Sequence, residues 1–128
     1  MPITSKVDRL NNLTTFIVTG EFSADLVVSV LKPLYEDPDH QPTLNILWDL
    51  REIDRAAAIK DEDLRKIVTY KSIYNTKRVG GKTAIVARSD FEFYFSKKYE
   101  LFTQLKGISV TIEVFRSLGE AMIWLGIS

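Results

Sequence analysis

The residues best able to do chemistry are carboxylates and arginines placed where predicted strands end. In an open α/β sheet, ligands gather outside the carboxyl ends of the strands. The residues at those positions are Glu21, Asp49, Arg51, Ser89, Asp90 and Arg116. Two carboxylates and an arginine could hold a polar head group, and Asp49 or Asp90 could serve as the general base of a small enzyme. Helix caps and strand ends use the same residue types, and we favour that structural role, above all for Ser89.

Sequence signatures of other catalytic or cofactor-binding sites are incomplete. The Gly-Gly-Lys-Thr run at residues 80–83 resembles the end of a phosphate-binding loop, but Thr76 stands where the first glycine is required. The run also leads into a predicted strand, whereas a phosphate loop opens a helix. His40 is the single histidine, and the chain has no cysteine. We therefore predict no catalytic residue, no metal site and no cofactor.

Composition indicates one globular domain spanning residues 1–128. Of the 128 residues, 45% are hydrophobic and 27% are charged, which is too apolar for a disordered chain. The net charge is zero, but residues 1–64 carry 6 basic and 12 acidic side chains, and residues 65–128 carry 11 and 5. These opposed halves can pair within the domain, and together with spare aromatic residues they lead us to expect a homodimer.

The pattern of charges and apolar runs also bears on location and on nucleic-acid binding. We find no secretory leader pattern and no apolar run of about 20 residues, so we expect a cytoplasmic protein without an integral membrane segment.

The second predicted helix and the turn after it carry basic residues interleaved with two tyrosines. They are Arg65, Lys66, Tyr70, Lys71, Tyr74, Lys77, Arg78 and Lys82. Because the pI is near 6.6, we interpret them as a solvated helix face and expect no nucleic-acid partner.

Apolar periodicity predicts the element order β-β-α-β-α-β-α-β-α. Strands separated by single helices require a mainly parallel sheet, here with an N-terminal antiparallel hairpin. Ser23 is predicted to cap the first helix, which should kink or end near Lys32 because Pro33 follows. The third strand is predicted at residues 44–48, ending at Asp49.

The third helix is rich in aromatic residues and is predicted to begin with a capping box formed by Ser89 and Glu92. Its core-facing side is predicted to carry Phe91, Tyr94, Phe95, Leu101, Phe102 and Leu105. Phe93 then lies nearly opposite that side. If the helix has this orientation, Phe93 marks a dimer interface, the mouth of an apolar ligand site or a membrane-touching edge. If the helix starts at a different residue, Phe93 is instead buried.

The element order and five short segments together resemble STAS domains, and within them the SpoIIAA-like family. The segments are Phe-Ile-Val-Thr-Gly-Glu at residues 16–21, Leu-Trp-Asp-Leu-Arg at 47–51, Val-Phe-Arg-Ser at 114–117, Glu-Ala at 120–121 and Trp-Leu at 124–125. The resemblance covers nearly the whole chain. It implies two non-enzymatic activities: antagonism of anti-sigma factors, and carriage of a lipid as in CRAL-TRIO-like proteins.

The resemblance also implies a phosphorylated Ser or Thr in the loop after the third strand. Residues 51–60 contain neither, so we expect no phosphorylation there. Fixed negative charge from Asp49, Glu52 and Asp54 could stand in for a phosphate, although Arg51 and Arg55 would offset it. A surface cluster of ion pairs is the interpretation we favour.

The function predicted from sequence is therefore that of a non-enzymatic binding domain. We expect a protein partner, or alternatively a small apolar ligand of the lipid type. The candidate binding residues are Glu21, Asp49, Arg51, Asp54, Arg55, Asp90, Phe93 and Arg116. A small carboxylate-based enzyme is the third alternative.

Overall fold

The computed structural model describes residues 3–54, 59–74 and 78–127. Its elements follow the predicted order. They are β1 (Ile3–Asp8), β2 (Leu13–Gly20), α1 (Ala24–Glu36), β3 (Asn45–Ile53), α2 (Asp61–Ile73), β4 (Lys82–Val86), α3 (Asp90–Leu105), β5 (Thr111–Phe115) and α4 (Leu118–Leu125). None of the described helices is long and apolar enough to cross a membrane.

The five strands lie in the sheet in the same order as in the chain. The pair β1–β2 is antiparallel and the other pairs are parallel, which confirms the predicted topology. Trp48 on β3 lies between Phe16 on β2 and Ile85 on β4. Each of the helices α1, α2 and α3 connects one parallel strand to the next strand along the sheet, always in the same direction. Right-handed connections of this kind place their helices on one face, so α1, α2 and α3 cover the same side of the sheet.

Two hydrophobic cores result, one on each face of the sheet. The first lies beneath α1, α2 and α3 and includes stacked Phe16 and Trp48, whose ring centroids are 4.5 Å apart. The second is smaller and lies between β3 and β4 and the last helix, α4. It consists of Leu13, Leu47, Ala84, Val86, Ala121, Leu125 and Ile127. Alternate residues of β3 and β4 therefore serve different cores, which explains their nearly continuous apolar runs.

Strand β3 is longer than predicted, because it continues through a bulge. Between Ile17 and Thr19 of β2, the paired position on β3 advances from Asp49 to Glu52. One extra residue on β3 interrupts the alternation that normally marks a strand in a sequence. The polar segment after Trp48 was consequently interpreted as a loop, whereas pairing continues to Ile53.

Helix α1 confirms one prediction and excludes one of the two outcomes expected at Pro33. The Ser23 hydroxyl accepts a hydrogen bond from the backbone N–H of Leu26 (3.5 Å), as an N-cap does. The helix does not end near Lys32 but continues through Pro33 to Glu36. Pro33 lies on the exposed side, where water can hydrate the carbonyl group that loses its helical hydrogen bond.

Helix α3 is rotated relative to the prediction. Its buried residues are Glu92, Phe95, Ser96, Tyr99 and Thr103, whereas Phe91, Tyr94, Leu101 and Leu105 are exposed. The small side chains of Ser96 and Thr103 face inward, and the Thr103 hydroxyl donates to the Tyr99 carbonyl within the helix (2.9 Å). The predicted capping box is also absent, since the Ser89 side chain makes no cap hydrogen bond. At the start of α4, the Ser117 hydroxyl accepts a hydrogen bond from the Glu120 backbone N–H (3.2 Å) and donates to the Glu120 carboxylate (3.0 Å), so Ser117 is an N-cap without the reciprocal bond of a capping box.

The turn before β4 depends on glycine at position 81. A Cβ atom there would collide with the carbonyl oxygen of Leu44 and lie 3.1 Å from a guanidinium nitrogen of Arg78. Backbone cannot move aside as a flexible side chain can. Gly119, in the first turn of α4, has no atom within 4 Å of the equivalent position.

We therefore expect Gly81→Ala to lower the free energy of unfolding by about 1 to 3 kcal/mol, the usual cost of overpacking. Gly119→Ala is the matched control and should leave stability unchanged or raise it by up to about 1 kcal/mol through helix propensity. Urea denaturation of the wild type and the two variants measures the three free energies of unfolding. Equal stability of the two variants would contradict the close approach at Gly81.

Candidate functional site

The predicted site residues at the carboxyl ends of the strands are not drawn into one cluster. Glu21 is exposed just after β2, and the backbone N–H of Asp54 donates to the Gly20 carbonyl (2.6 Å). Arg55 lies outside the described residues. Four further predicted residues form two ion pairs, Asp49 with Arg51 on β3, and Asp90 at the start of α3 with Arg116, which follows β5.

Asp49 and Arg51 form the first ion pair; because β3 continues to Ile53, Asp49 lies at the middle of the strand and not at its predicted end. Arg51 donates to both carboxylate oxygens of Asp49 from Nε and from a terminal nitrogen, at 2.9 Å each, and its backbone N–H adds a third bond at 3.1 Å. Burial alone would raise the pKa of Asp49, but these bonds and the charge of Arg88 hold it below its usual value. The carboxylate is thus ionised with both oxygens engaged, which suits a structural pair better than a general base.

Arg116 and Asp90 form the second pair, at the start of α3. A terminal nitrogen of Arg116 lies 2.8 Å from an Asp90 carboxylate oxygen, and the guanidinium carbon lies 4.1 Å above the Phe93 ring. Phe93 is half-buried and packs against the first core. Of the two positions left open for Phe93, the structure therefore has the inward one, because the helix is rotated relative to the prediction and Arg116 covers the ring. The exposed Asp90–Arg116 pair adds little to stability.

Helix α3 nevertheless presents apolar residues to solvent. Phe91, Tyr94, Leu101 and Leu105 repeat at helical spacing along its outward side, and we call these four residues the α3 outer surface. Tyr94 is 68% exposed and Leu105 is 75% exposed. Beside this surface, a groove of about 270 Å³ separates α2 from the last turns of α3. Val68, Phe102 and Leu105 contribute apolar side chains to it, and Arg65 and Lys106 contribute cations.

A second feature is a cavity between the sheet and the three helices of the first core. Its volume is about 50 Å³ and it opens to the surface. Most of its lining is apolar and includes Phe22, Val27, Trp48, Leu64, Ile85 and Phe95. Lys71, Ser96 and Tyr99 also line it, and we call this the Lys71 cavity.

Lys71 is buried without a counter-ion. Its side chain makes no hydrogen bond or ion pair with any described residue, and its ammonium lies 5.2 Å from the centre of the Tyr99 ring. Burial, reinforced by the charge of Arg78, lowers the pKa of Lys71 to about 7. A free lysine would be fully protonated at neutral pH, so this one titrates in the physiological range.

Arg78, the neighbouring cation, is also buried but is bound to polar atoms. Its guanidinium donates to the Leu44 carbonyl from two nitrogens (2.8 and 3.2 Å), to the Lys82 carbonyl (3.0 Å) and to the Thr83 hydroxyl (3.0 Å). Lys71 and Arg78 are thus interior groups and not parts of a basic surface. Lys77, from the same predicted basic set, lies outside the described residues.

The sequence held one signal for the Lys71 cavity that was not used. Lys71 follows Leu64 by seven residues and Ile67 by four, so it falls on the apolar side of α2. A lysine at a core position of an amphipathic helix is unusual. Among the described residues there is no group of three or more His, Cys, Asp or Glu side chains that could hold a metal ion.

The lowered pKa of Lys71 predicts how stability depends on pH. Between about pH 7 and the usual lysine pKa near 10.4, the unfolded chain binds a proton that the folded protein does not, so the free energy of unfolding should rise with pH. The slope should reach about 1.4 kcal/mol per pH unit. Burial raises the pKa values of Tyr35, Tyr70 and Tyr99, so the opposing effect of these phenols begins only near pH 10.

Urea denaturation from about pH 6 to about pH 9.5 tests this expectation. Lys71→Met should be more stable than the wild type at neutral pH and should lack the slope. Lys66→Met, which changes an exposed lysine of the same helix, should retain it. If Lys71→Met shows the same rise of the free energy of unfolding with pH as the wild type, a group other than Lys71 causes that rise.

The fold can be compared with those of known proteins. No protein-family model matches the sequence, and no curated protein does. A solved structure matches: the crystal structure at 2.25 Å resolution of an uncharacterized protein of the DUF3478 family, with a SpoIIAA-like fold, from Shewanella loihica PV-4. The TM-score is 0.62 at 13% sequence identity, and the match covers 96% of this chain and 91% of that chain. At this identity the likeness concerns the fold alone. The chain has a SpoIIAA-like fold.

Proposed function

We propose that this domain is a non-enzymatic binding module, and that it docks an acidic amphipathic helix of a protein partner on the α3 outer surface and the adjoining groove. The observation that carries the proposal is the row of four large apolar side chains exposed on one side of α3. Scattered apolar residues on a surface need no explanation, but four large apolar residues at helical spacing on one side of a helix are typical of an interaction site.

The charge of the groove favours an acidic occupant. Arg65 stacks over Phe102 at 4.5 Å, and neither Arg65 nor Lys106 forms an ion pair with a described residue. Lys98 lies within the row of exposed residues and pairs with Asp61 of α2 (2.8 Å). Two cations beside an apolar floor complement a helix that carries leucines on one side and carboxylates along its edges.

The size of the Lys71 cavity weighs against the alternative of a lipid carrier. An engineered cavity of about 150 Å³ holds one benzene molecule. The Lys71 cavity, at about 50 Å³, therefore lacks the room for a lipid chain. We accordingly place the main binding function on the outer side of α3 and not beneath it.

The test uses two synthetic amphipathic helices with the same leucines, one with glutamate and one with lysine along the edges, titrated into the protein by calorimetry. We expect the acidic peptide to bind at least about tenfold more tightly than the basic one. Leu101→Glu and Leu105→Glu should each weaken the acidic peptide by about tenfold or more. Ile123→Glu, which changes an exposed apolar residue of α4, is the matched control and should bind like the wild type.

The other occupants are distinguished in the same set of variants. If the protein self-associates in sedimentation, and Leu101→Glu abolishes this association whereas Ile123→Glu does not, the α3 outer surface binds a second copy of the chain and the proposal is overturned. If the protein binds anionic vesicles, and Leu101→Glu abolishes that binding whereas Ile123→Glu does not, the surface binds a membrane and the proposal is also overturned. Equal affinity for the two peptides would also contradict the docking proposal. So would an affinity for the acidic peptide that Leu101→Glu leaves unchanged.

A further inference from the structure

We propose that Lys71 is a proton switch in the interface between α2 and α3. With a neutral amine at Lys71, the two helices stay packed together. Uptake of a proton favours an opening in which α2 moves away from α3 and the ammonium reaches water. The observation that carries the proposal is a lysine buried between two helices, with a cation and, among the described residues, no carboxylate beside it.

Lys71 belongs to the side of α2 that faces the rest of the protein. The buried residues of this helix are Leu64, Ile67, Val68 and Lys71, and Lys71 is 5% exposed. One of the four buried positions of α2 is thus a side chain that can carry a charge. An unpaired buried charge strongly destabilises packing, whereas a neutral amine on its four-carbon stem packs much like an apolar side chain.

The groups around Lys71 offer it no counter-ion. The titratable and charged groups that face it are Tyr99 of α3, Tyr35 of α1, Tyr74 after α2 and Arg78. The strands beneath contribute residues that do not titrate, namely Trp48, Ile85 and Ile112. Burial raises the pKa values of Tyr35 and Tyr99, so these phenols stay neutral at neutral pH. A proton bound at Lys71 therefore meets the positive charge of Arg78 and no negative charge of the described chain.

The other polar contacts between α2 and α3 lie at the surface. Lys98 of α3 pairs with Asp61 of α2 (2.8 Å), and both side chains are partly exposed. Arg65 of α2 stacks over the half-buried ring of Phe102 (4.5 Å). Exposed contacts of this kind contribute little to stability. The buried side of α2, which includes Lys71, therefore decides whether the two helices stay together.

Opening of this interface would also dismantle the groove beside the α3 outer surface. Val68 of α2 and Phe102 of α3 both line that groove. Val68 precedes Lys71 by three residues and Phe102 follows Tyr99 by three, so each lies about one helical turn from the switch. The proton would thus control access to the docking site. This consequence rests on the proposed function, whereas the opening itself does not.

The test is hydrogen exchange of the backbone amides at about pH 6 and about pH 8, at urea concentrations below the unfolding transition. Exchange through a local opening depends weakly on urea, whereas exchange through global unfolding depends on it strongly. We expect the amides of α2 to exchange through a local opening, at a lower free energy than those of β3 and β4.

The pH dependence of this opening follows from the proton that Lys71 takes up. In the open form Lys71 has the ordinary lysine pKa of about 10.4, and in the closed form its pKa is about 7. Opening therefore binds a proton between these values and becomes less favourable as pH rises. After correction for the intrinsic exchange rate, the opening constant should be about tenfold larger at pH 6 than at pH 8.

The variants identify the group that takes up the proton. Lys71→Met removes a buried charge and should fold, and its opening constant should be the same at both pH values. Two control variants should keep the tenfold difference: Lys66→Met, which changes an exposed lysine of the same helix, and His40→Gln, which removes the single histidine.

Three results would overturn the proposal. The first is equal free energies and urea slopes for the amides of α2, β3 and β4 in the wild type, which needs no variant. The second is a wild-type opening constant that is the same at both pH values, and the third is a difference that persists in Lys71→Met. Because no peptide is present, none of these results depends on the docking proposal.

Discussion

The buried guanidinium of Arg78 is the interaction on which the rest of the structure depends. It joins the residue before β3, through the Leu44 carbonyl, to the first residues of β4, through the Lys82 carbonyl and the Thr83 hydroxyl. A guanidinium can be buried only when its donors are satisfied, so these backbone groups must keep their relative positions. The same requirement explains why the chain passes so close to Leu44 at Gly81, and it places a fixed positive charge beside Lys71.

Features decided by neighbouring residues could be predicted from the sequence, and those decided by distant contacts could not. The caps at Ser23 and Ser117 depend on a hydrogen bond across three residues, and both are present. The rotation of α3 was mispredicted because its sequence carries two overlapping apolar sides that share Phe95 and Phe102. In the folded protein the buried side is the one that carries Ser96, Tyr99 and Thr103. The unpaired state of Lys71 was equally inaccessible, because it depends on what α1 and α3 place around it.

The two sides of α3 have different surroundings. Tyr94 and Leu105 point to solvent, whereas Tyr99 contributes to the Lys71 cavity beneath the helix. This division follows from the topology: three helices on one face of a sheet each have an inner side that closes the core and an outer side that no other element of the described chain covers. The excess of basic residues in the second half of the sequence is divided in the same way, with Arg65 at the groove and Arg78 in the interior.

Strand order has a consequence for how the chain folds. Because the spatial order β1 to β5 is also the order of synthesis, each parallel strand pairs with one that has already left the ribosome. The first core can therefore grow by one strand and one helix at a time. The second core cannot, since Leu47 and Val86 stay uncovered until α4 is made. The nascent chain thus carries an exposed apolar sheet face until its last described helix docks, and this is the stage at which it is most prone to aggregate.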